Sequence, residues 1–462
     1  MIKFILNNKL ICTDKNLGMS LLDFIRYGEE LPGTKIGCRE GDCGACTVLE
    51  GTLTNDQVNY KSIVSCLTPL VNAHGKHIVT IEGINLEDKL SPVQKAMVDN
   101  SATQCGFCTP GFVMSFTGHC LKHELSTTEK AIASVSGNIC RCTGYKSIER
   151  AAVDIAKHMQ NKNIDNPIKW MVEQSYLPNY FLQIPEKLKG IKPLEIIPST
   201  KSTIIGGGTD LMVQKADKIY ESEVNPVLNH QKCKGISLEN GRCRIGASTT
   251  VNELMQSSLL QDLLPELSSQ LALISSEPIR NVGTIAGNIV NASPIGDLSI
   301  ILLALNSEIT VLDNDRKKGQ PLKDFYLGYK KLNLQMGDMV ESVSFPILQK
   351  PYFFNFEKVS KRTHLDIASV NSAMLIKVDN NKIVECHLSA GGVSPIPLYL
   401  KETSKFLVGK TISTDTLNQA NEVLQSEISP ISDIRGSVEY KRLLIKQLIF
   451  AHFLKLFPSQ ID

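Results

Sequence analysis

Eight cysteines in two groups carry the most specific chemistry in this sequence. The first group is Cys38, Cys43 and Cys46, then Cys66, with gaps of four, two and 19 residues. The second is Cys105 and Cys108, then Cys140 and Cys142, with 31 residues between the inner pair. Four thiolates can hold a zinc ion or an iron–sulfur cluster. A four-residue gap interleaved with Gly37, Gly41 and Gly44 does not match paired two-residue zinc knuckles, whereas Cys-x4-Cys-x2-Cys is a spacing of 2Fe–2S ligands. Glycine reaches the positive φ that a tight curl around a cluster requires, and it leaves N–H groups free to point at sulfur. The second group is less specific by itself. Its Cys-x-Cys half is unusual for structural zinc, and each half stands just before a predicted helix, one beginning near Pro110 and one near Ser147. Helix N-termini carry unpaired N–H donors and partial positive charge, which suits an anionic cluster. Taken alone, this group is a metal site of unspecified kind; beside the first it reads as a second 2Fe–2S centre.

The chain has 13 cysteines, an odd number, and ten lie before residue 143. Cys12, Cys120, Cys233, Cys243 and Cys386 receive no role, because free cysteine is commonly a small buried hydrophobe. Lys plus Arg is 49 against 47 for Asp plus Glu, a net charge of +2 that argues against nucleic-acid binding. Hydrophobic residues at 42% and charged residues at 21% give a globular composition. Asn7, Asn8 and Lys9 interrupt the apolar start too early for a signal-peptide core. The strongly apolar run 299–305 is far short of the ~20 residues that a membrane helix needs. The expectation is a soluble, cytoplasmic protein with no membrane segment.

At ~150 residues per domain, 462 residues leave room for about three domains. Ile2, Phe4 and Leu6 alternate before an Asn7-Asn8 turn into Lys9 to Cys12, a hairpin signal. Ser20 caps a helical apolar face of Leu21, Leu22, Phe24 and Ile25, and residues 58–67 and 78–81 read as further strands. Residues 1–86 are thus a small mixed sheet with one helix. Residues 87–160 are helical, started by Ser91-Pro92, Thr109-Pro110 and Ser126 to Thr128, and ended by an amphipathic segment around Ile148 to Met159. Residues 161–175 read as a linker in which Trp170, the only tryptophan, packs against a domain face. The remainder divides at Pro346 and Pro351 into 176–346 and 350–458, the latter alternating strands (373–378, 383–388) with helices (416–426, 440–456).

Two glycine-rich stretches lie in the middle of the chain. Ile204, Ile205, Gly206, Gly207, Gly208, Thr209, Asp210 and Leu211 form a strand running into a glycine turn, where backbone can approach a diphosphate closely. The pattern matches neither GxGxxG nor a P-loop, and a plain turn fits it as well. The second stretch, RNVGTIAGNIVNASPIGD at 280–297, is rich in Gly, Asn and Ser within an apolar frame, as a backbone-lined nucleotide site would be, or a buried polar turn. Their pairing within one unit of ~100 residues favours a ligand site.

The stretches GCREGDCGACT (37–47), QCGFCTPG (104–111) and GNICRCTGY (137–145) resemble the iron–sulfur domains of the xanthine oxidase family of molybdenum hydroxylases. GGGTDL and NVGTIAGN…NASPIGD resemble the same family's two FAD-binding segments, and the likeness covers nearly the whole chain. It implies a multidomain α+β architecture: an N-terminal β-grasp 2Fe–2S ferredoxin-like domain, a helical 2Fe–2S domain and a two-part α+β FAD-binding domain. Carried over by position, Ile204 to Leu211, Thr284, Gly287, Asn288, Asp297, the backbone at Val340 and Lys358 contact FAD. Gln104 and Cys142 approach the pterin of a molybdopterin-binding partner. Ile274 falls where some relatives place an aromatic beside the flavin ring, so a stacking contact is not implied here.

Two one-electron clusters and a flavin that exchanges electrons singly or in pairs make a wire with a converter at one end. About 100 residues follow the flavin segments, too few for the family's large molybdenum domain. The resemblance therefore implies the iron–sulfur/FAD subunit of a xanthine dehydrogenase-type enzyme. In it electrons pass from molybdopterin on a large partner subunit through the helical-domain cluster, the ferredoxin-like cluster and FAD to NAD+. A dimer of heterodimers is the implied assembly. No residue of this chain is nominated as general base or nucleophile. The same module serving an aldehyde or N-heterocycle hydroxylase, a free-standing electron carrier and a zinc-stabilised binding module are the alternatives.

Overall fold

A computed structural model describes residues 1–194, 202–313 and 316–461. Residues 195–201 and 314–315, inside the expected flavin region, lie outside the described residues. By compactness the chain divides into two units: Met1–Pro226 with Ser276–Val282, and Val227–Ser275 with Gly283–Asp462.

The first unit opens with strands β1 (Ile2–Leu6), β2 (Lys9–Thr13), β3 (Thr47–Thr54), β4 (Gln57–Val64) and β5 (His77–Val79), in the order β2-β1-β5-β3-β4. β1 and β5 are parallel and the other pairs antiparallel. The Asn7-Asn8 turn closes the first hairpin, with Leu6 opposite Lys9. β3 was not expected, because Gly51 interrupts its apolar pattern; a Cβ there would meet the Tyr60 ring at 2.6 Å. Both faces of this sheet are covered, so β1 does not alternate cleanly. Ile2, Phe4 and Leu6 pack with Leu21, Phe24 and Ile25. Ile5, Leu49 and Val79 pack with Phe112, Val113 and Phe116 of the following helical segment.

That segment holds the helices Pro92–Asp99, Thr109–Cys120, Thr128–Ser134 and Lys146–His158. Ser91 caps the first reciprocally with Gln94, and Thr127 caps the third. Nearly every residue of Thr109–Cys120 is buried, the pattern of a helix enclosed by protein on all sides. Gly118 allows the close approach to the sheet, since a Cβ there would stand 3.0 Å from Leu49. The expected linker is partly helical: Pro167–Glu173 forms a helix with Met171 buried, and the Trp170 ring lies 5.7 Å from that of Tyr176. The unit ends with two short parallel strands, β6 (Thr203–Ile205) and β7 (Val224–Pro226).

The second unit has strands β8 (Ile236–Glu239), β9 (Arg242–Gly246), β10 (Glu308–Asp313), β11 (Arg316–Pro321), β12 (Tyr326–Gly328), β13 (Lys331–Leu332) and β14 (Met339–Pro346). One antiparallel sheet runs β11-β10-β14-β9-β8, and β12 pairs with β13. A second antiparallel sheet, β15 (Tyr352–Val359), β16 (Val370–Asp379), β17 (Lys382–Gly391) and β18 (Leu398–Tyr399), carries the C-terminal helix Val438–Leu456. The apolar run 299–305 becomes the helix Asp297–Ala304, buried along almost its whole length and tied to the second sheet where Ser389 Oγ donates to the Ile300 carbonyl at 2.7 Å.

Candidate iron–sulfur and flavin sites

The 19-residue gap between Cys46 and Cys66 is one hairpin. β3 and β4 have eight residues each and pair with Thr47 opposite Val64. Cys46 just before β3 and Cys66 just after β4 therefore emerge at the same end. The Ser65 amide and hydroxyl both donate to the Cys46 carbonyl, at 3.3 and 2.8 Å. The loop carrying Cys38 and Cys43 curls so that the Cys38 amide lies 3.4 Å from Cys43 Sγ and the Glu40 amide 3.3 Å from Cys38 Sγ. Hydrogen bonds from the Cys43 thiol and from backbone N–H groups bring Cys38 down to about 4, while Cys43, as the donor, is pushed up. A bond from the Cys66 thiol likewise lowers Cys46 and raises Cys66.

Amide groups of residues 40–43 face the Cys38 and Cys66 sulfurs, and that of Ala45 faces Cys43. Of the three interleaved glycines, Gly41 supplies such a donor, to Cys66. Gly37 is required by space, since a Cβ there would meet Cys43 Sγ at 2.5 Å, and Gly44, at φ +65, lies against Asn138.

The second group is assembled by two helix starts. Cys108 immediately precedes Thr109–Cys120, and Cys142 lies shortly before Lys146–His158. Gly106 and Gly144, at φ +79 and +68, turn the two ligand loops. Cys142 Sγ lies 3.6 Å from Cys105 Sγ, and Cys108 and Cys140 share a side-chain hydrogen bond. The Thr143 hydroxyl donates to Cys140 Sγ at 3.2 Å, and the Tyr145 hydroxyl accepts from the Cys140 amide at 3.1 Å. Burial and the bond to Cys140 push Cys108 up to about 12, whereas an N–H bond from Phe107 and the Cys142 thiol lower Cys105. Cys105 and Cys142 are exposed, as are Gln104, Phe107 and Tyr145.

Each group therefore stands as two pairs of sulfurs. Among the described residues no set of three or more His, Cys, Asp or Glu gathers as a single metal ion would require. A 2Fe–2S cluster takes two thiolates on each iron, so a two-and-two arrangement supplied with N–H donors fits it. The two groups are neighbours within the first unit. The Cys43 carbonyl accepts from the Ile139 amide at 3.0 Å, and Ile139 precedes Cys140. Asn138 Nδ2 donates to the Gly44 carbonyl at 3.1 Å while its Oδ1 accepts from Ser115 at 2.8 Å.

By compactness the first flavin stretch falls in the first unit and Gly283 to Asp297 of the second stretch in the second unit. Gly206 to Gly208 follow β6 in the first unit, on the turn after Cys66. The Gly206 carbonyl accepts from Asn72 Nδ2 at 2.9 Å, and Gly208, at φ +85, lies so close that a Cβ would stand 2.6 Å from Pro69 Cδ. Ile205 is buried, and Leu211 starts a one-turn helix that Asp210 precedes.

In the second unit Thr284 caps the helix Ile285–Asn291 by accepting from the Gly287 amide at 3.1 Å. Asn288 Oδ1 accepts from the Ser299 amide and hydroxyl, both at 3.2 Å. Asp297 accepts from Lys358 Nζ at 2.8 Å and from Asn371 Nδ2. Lys358 Nζ, 3% exposed, also donates to the Leu273 carbonyl at 3.0 Å. An ammonium has three donors, so among the described residues one is left for a ligand. Val340 is buried in β14 opposite Val311, and Ile274 is buried among the core residues of this unit. Asn138, Asn72 and Asn371 were missed as partners of these segments. A short polar residue inside an apolar frame, as in SVNSAML, was the signal for Asn72 and Asn371, and Asn138 stands in the GNICRCTGY stretch.

Four family models match the chain in order. They describe a 2Fe–2S iron–sulfur cluster binding domain at residues 4–71, a [2Fe-2S] binding domain at 80–153, the FAD binding domain in molybdopterin dehydrogenase at 185–348 and the CO dehydrogenase flavoprotein C-terminal domain at 356–456. The chain belongs to the xanthine oxidase family of molybdenum hydroxylases. This molybdenum hydroxylase chain is 27% identical to xanthine dehydrogenase of Dictyostelium discoideum over 98% of its own length and 40% of that protein. It is 28% identical to xanthine dehydrogenase 1 of Arabidopsis thaliana over 94% of its length and 38% of the relative. It thus spans about two-fifths of the curated relatives it matches. In fold, 54% of it covers 88% of a chain of carbon monoxide dehydrogenase from Hydrogenophaga pseudoflava, with a TM-score of 0.52 and 22% identity. Quinoline 2-oxidoreductase from Pseudomonas putida 86 gives a TM-score of 0.51 at 23% identity, over 56% of this chain and 90% of that one. Among the described residues no helix is long and apolar enough to cross a membrane.

Proposed function

We propose that this chain is the electron-transfer part of a xanthine dehydrogenase, taking electrons from a molybdopterin-binding partner and delivering them to NAD+ during hydroxylation of hypoxanthine or xanthine. Cys38, Cys43, Cys46 and Cys66 would hold one 2Fe–2S cluster, and Cys105, Cys108, Cys140 and Cys142 the other. Residues 204–211, Thr284, Gly287, Asn288, Asp297, Val340 and Lys358 would hold FAD. When bound, each cluster carries one electron and the flavin collects two.

The observation that carries the reading is the middle position of the ferredoxin-like site. On one side its ligand Cys43 is one hydrogen bond from the residue before Cys140; on the other its ligand Cys66 is followed by the turn on which Gly208 rests. That order supports a route from the helical-domain site through the ferredoxin-like site to the flavin. Exposed Cys105, Cys142 and Gln104 are where a partner's pterin would approach.

The chain's own residues orient and insulate. Amides of the 38–45 loop and the Thr143 hydroxyl direct hydrogen atoms at sulfur, which lowers the charge felt there. Lys358, fixed by Asp297 and the Leu273 carbonyl, offers a positive charge to an electron-rich ring. The purine reading draws on the xanthine dehydrogenases that align with nearly all of this chain. Its test is the complex isolated with its molybdopterin partner and assayed with NAD+ against hypoxanthine, xanthine, aldehydes and nicotinate. NADH formation with the purines supports it; turnover of aldehydes or nicotinate alone contradicts it.

A further inference from the structure

Arg39 follows the ligand Cys38 at φ +59, a left-handed conformation that side chains other than glycine rarely adopt. Its guanidinium makes a two-pronged contact with Asp23, Nη1 to Oδ2 at 2.9 Å and Nη2 to Oδ1 at 2.6 Å. Asp23 is itself held. Its Oδ2 accepts from Ser20 Oγ at 2.7 Å, and its amide donates to the same hydroxyl at 3.1 Å. Burial opposes ionisation of Asp23, but the bonds from Arg39 and Ser20 hold its carboxyl below the usual range, so the pair is charged at neutral pH. A planar fork on a carboxylate fixes direction as well as distance, which a lysine could not do. The next residue's amide, that of Glu40, points at Cys38 Sγ, and the charge of Arg39 is also felt at Cys66. The guanidinium is thus a positive charge held in place by Asp23, on the residue next to the ligand Cys38 and felt at the ligand Cys66.

We propose that Arg39, anchored by Asp23, sets the reduction potential of the ferredoxin-like cluster by holding a positive charge beside it. This rests on the iron–sulfur reading of the four cysteines. Reduction adds negative charge to a cluster, so a fixed cation raises its potential and a nearby anion lowers it. Arg39 is a positioning and tuning residue and takes no part in ligation.

The test is an EPR-monitored redox titration of the full chain, in which the signals of the two clusters are followed separately. Arg39→Gly removes the charge and suits φ +59, so iron content stays at the wild-type level. The midpoint of the ferredoxin-like cluster falls, and that of the helical-domain cluster does not move. Asp23→Asn removes the balancing anion while keeping the side chain's shape, so the same midpoint rises. Arg39→Gln, neutral and of similar reach, repeats the first measurement should the glycine variant lose iron. An unmoved midpoint without the arginine charge overturns the proposal. So does a shift in the same direction for Arg39→Gly and Asp23→Asn, which would mean loop shape and not charge. A wild-type chain without iron and labile sulfide overturns the cluster reading itself, which is a separate result.

Discussion

Gly208→Ala isolates the contact between the first flavin loop and the ferredoxin-like site. Gly208 sits at φ +85, and its Cβ would lie 2.6 Å from Pro69 Cδ and 2.9 Å from the Leu67 carbonyl oxygen. A left-handed backbone with a Cβ costs ~1–2 kcal/mol and overpacking ~1–3 kcal/mol, together about 2–5 kcal/mol. The turn after Cys66 is the firmer side. Thr68 is tied to Ser65 and Leu21, and Leu70 to Met19, by backbone bonds of 2.7 to 3.4 Å. The glycine loop, held to this turn by the Asn72 bond to Gly206, yields instead. If that displacement falls on flavin binding, affinity drops from about 30-fold to several thousand-fold, at 1.4 kcal/mol per tenfold. The assay is flavin released on denaturation per chain, with a titration of the deflavinated chain by FAD and an iron determination in parallel. Depleted flavin with full iron is expected. Wild-type flavin affinity would show that the Gly208 approach does not bear on flavin binding, and loss of iron with flavin retained would show that the strain runs into the Cys66 turn.

Cys43→Ser should remove the EPR signal of the ferredoxin-like cluster and leave the helical-domain signal and the flavin; loss of all three would contradict separate sites. Asn138→Ala leaves the buried Ser115 hydroxyl without its acceptor, at ~1–3 kcal/mol, and takes one donor from the Gly44 carbonyl, which keeps those of the Thr47 amide and hydroxyl. A lower Tm and slower electron passage between the clusters in rapid-freeze EPR are expected, and no change in either would contradict the inter-site contact. Glu50, buried beside Lys76 and Lys61, is brought down to about 2 by the two lysines against the opposing effect of burial. Its folded-state value lies below the ordinary 4.5, so its stabilisation is complete above that pH and is lost as pH falls toward 2. Glu50→Gln removes the counter-charge of Lys76 and should cost ~3–5 kcal/mol in urea unfolding at neutral pH, while flattening the acid limb between those values. An unchanged acid limb would refute the assignment.

The parts of the fold set by local rules were legible in the sequence. The Asn7-Asn8 hairpin, the caps at Ser20, Ser91 and Thr127, and the long C-terminal helix follow from turn and capping chemistry within a few residues. Cysteine spacing was informative because ligation fixes it: the 19-residue gap is one hairpin length. What local pattern could not carry is the packing between segments distant in sequence. β3 was hidden by Gly51, whose missing side chain makes room for Tyr60. The attachment of Gly208 to Pro69 and of Gly44 to Asn138 depends on backbone approaches across more than 90 residues, and glycines announce such an approach without naming its partner. Gly37 and Gly44 are needed for clearance, from Cys43 Sγ and from Asn138, which their type alone does not reveal.

The central claim is that eight cysteines hold two iron–sulfur clusters on the way to a flavin. Iron, acid-labile sulfide, zinc and flavin determined on one anaerobic preparation of the full chain test it most directly. Iron and sulfide in equal amounts at two 2Fe–2S clusters per chain, with one FAD and no stoichiometric zinc, are expected. Zinc in place of iron, with no labile sulfide, would contradict it.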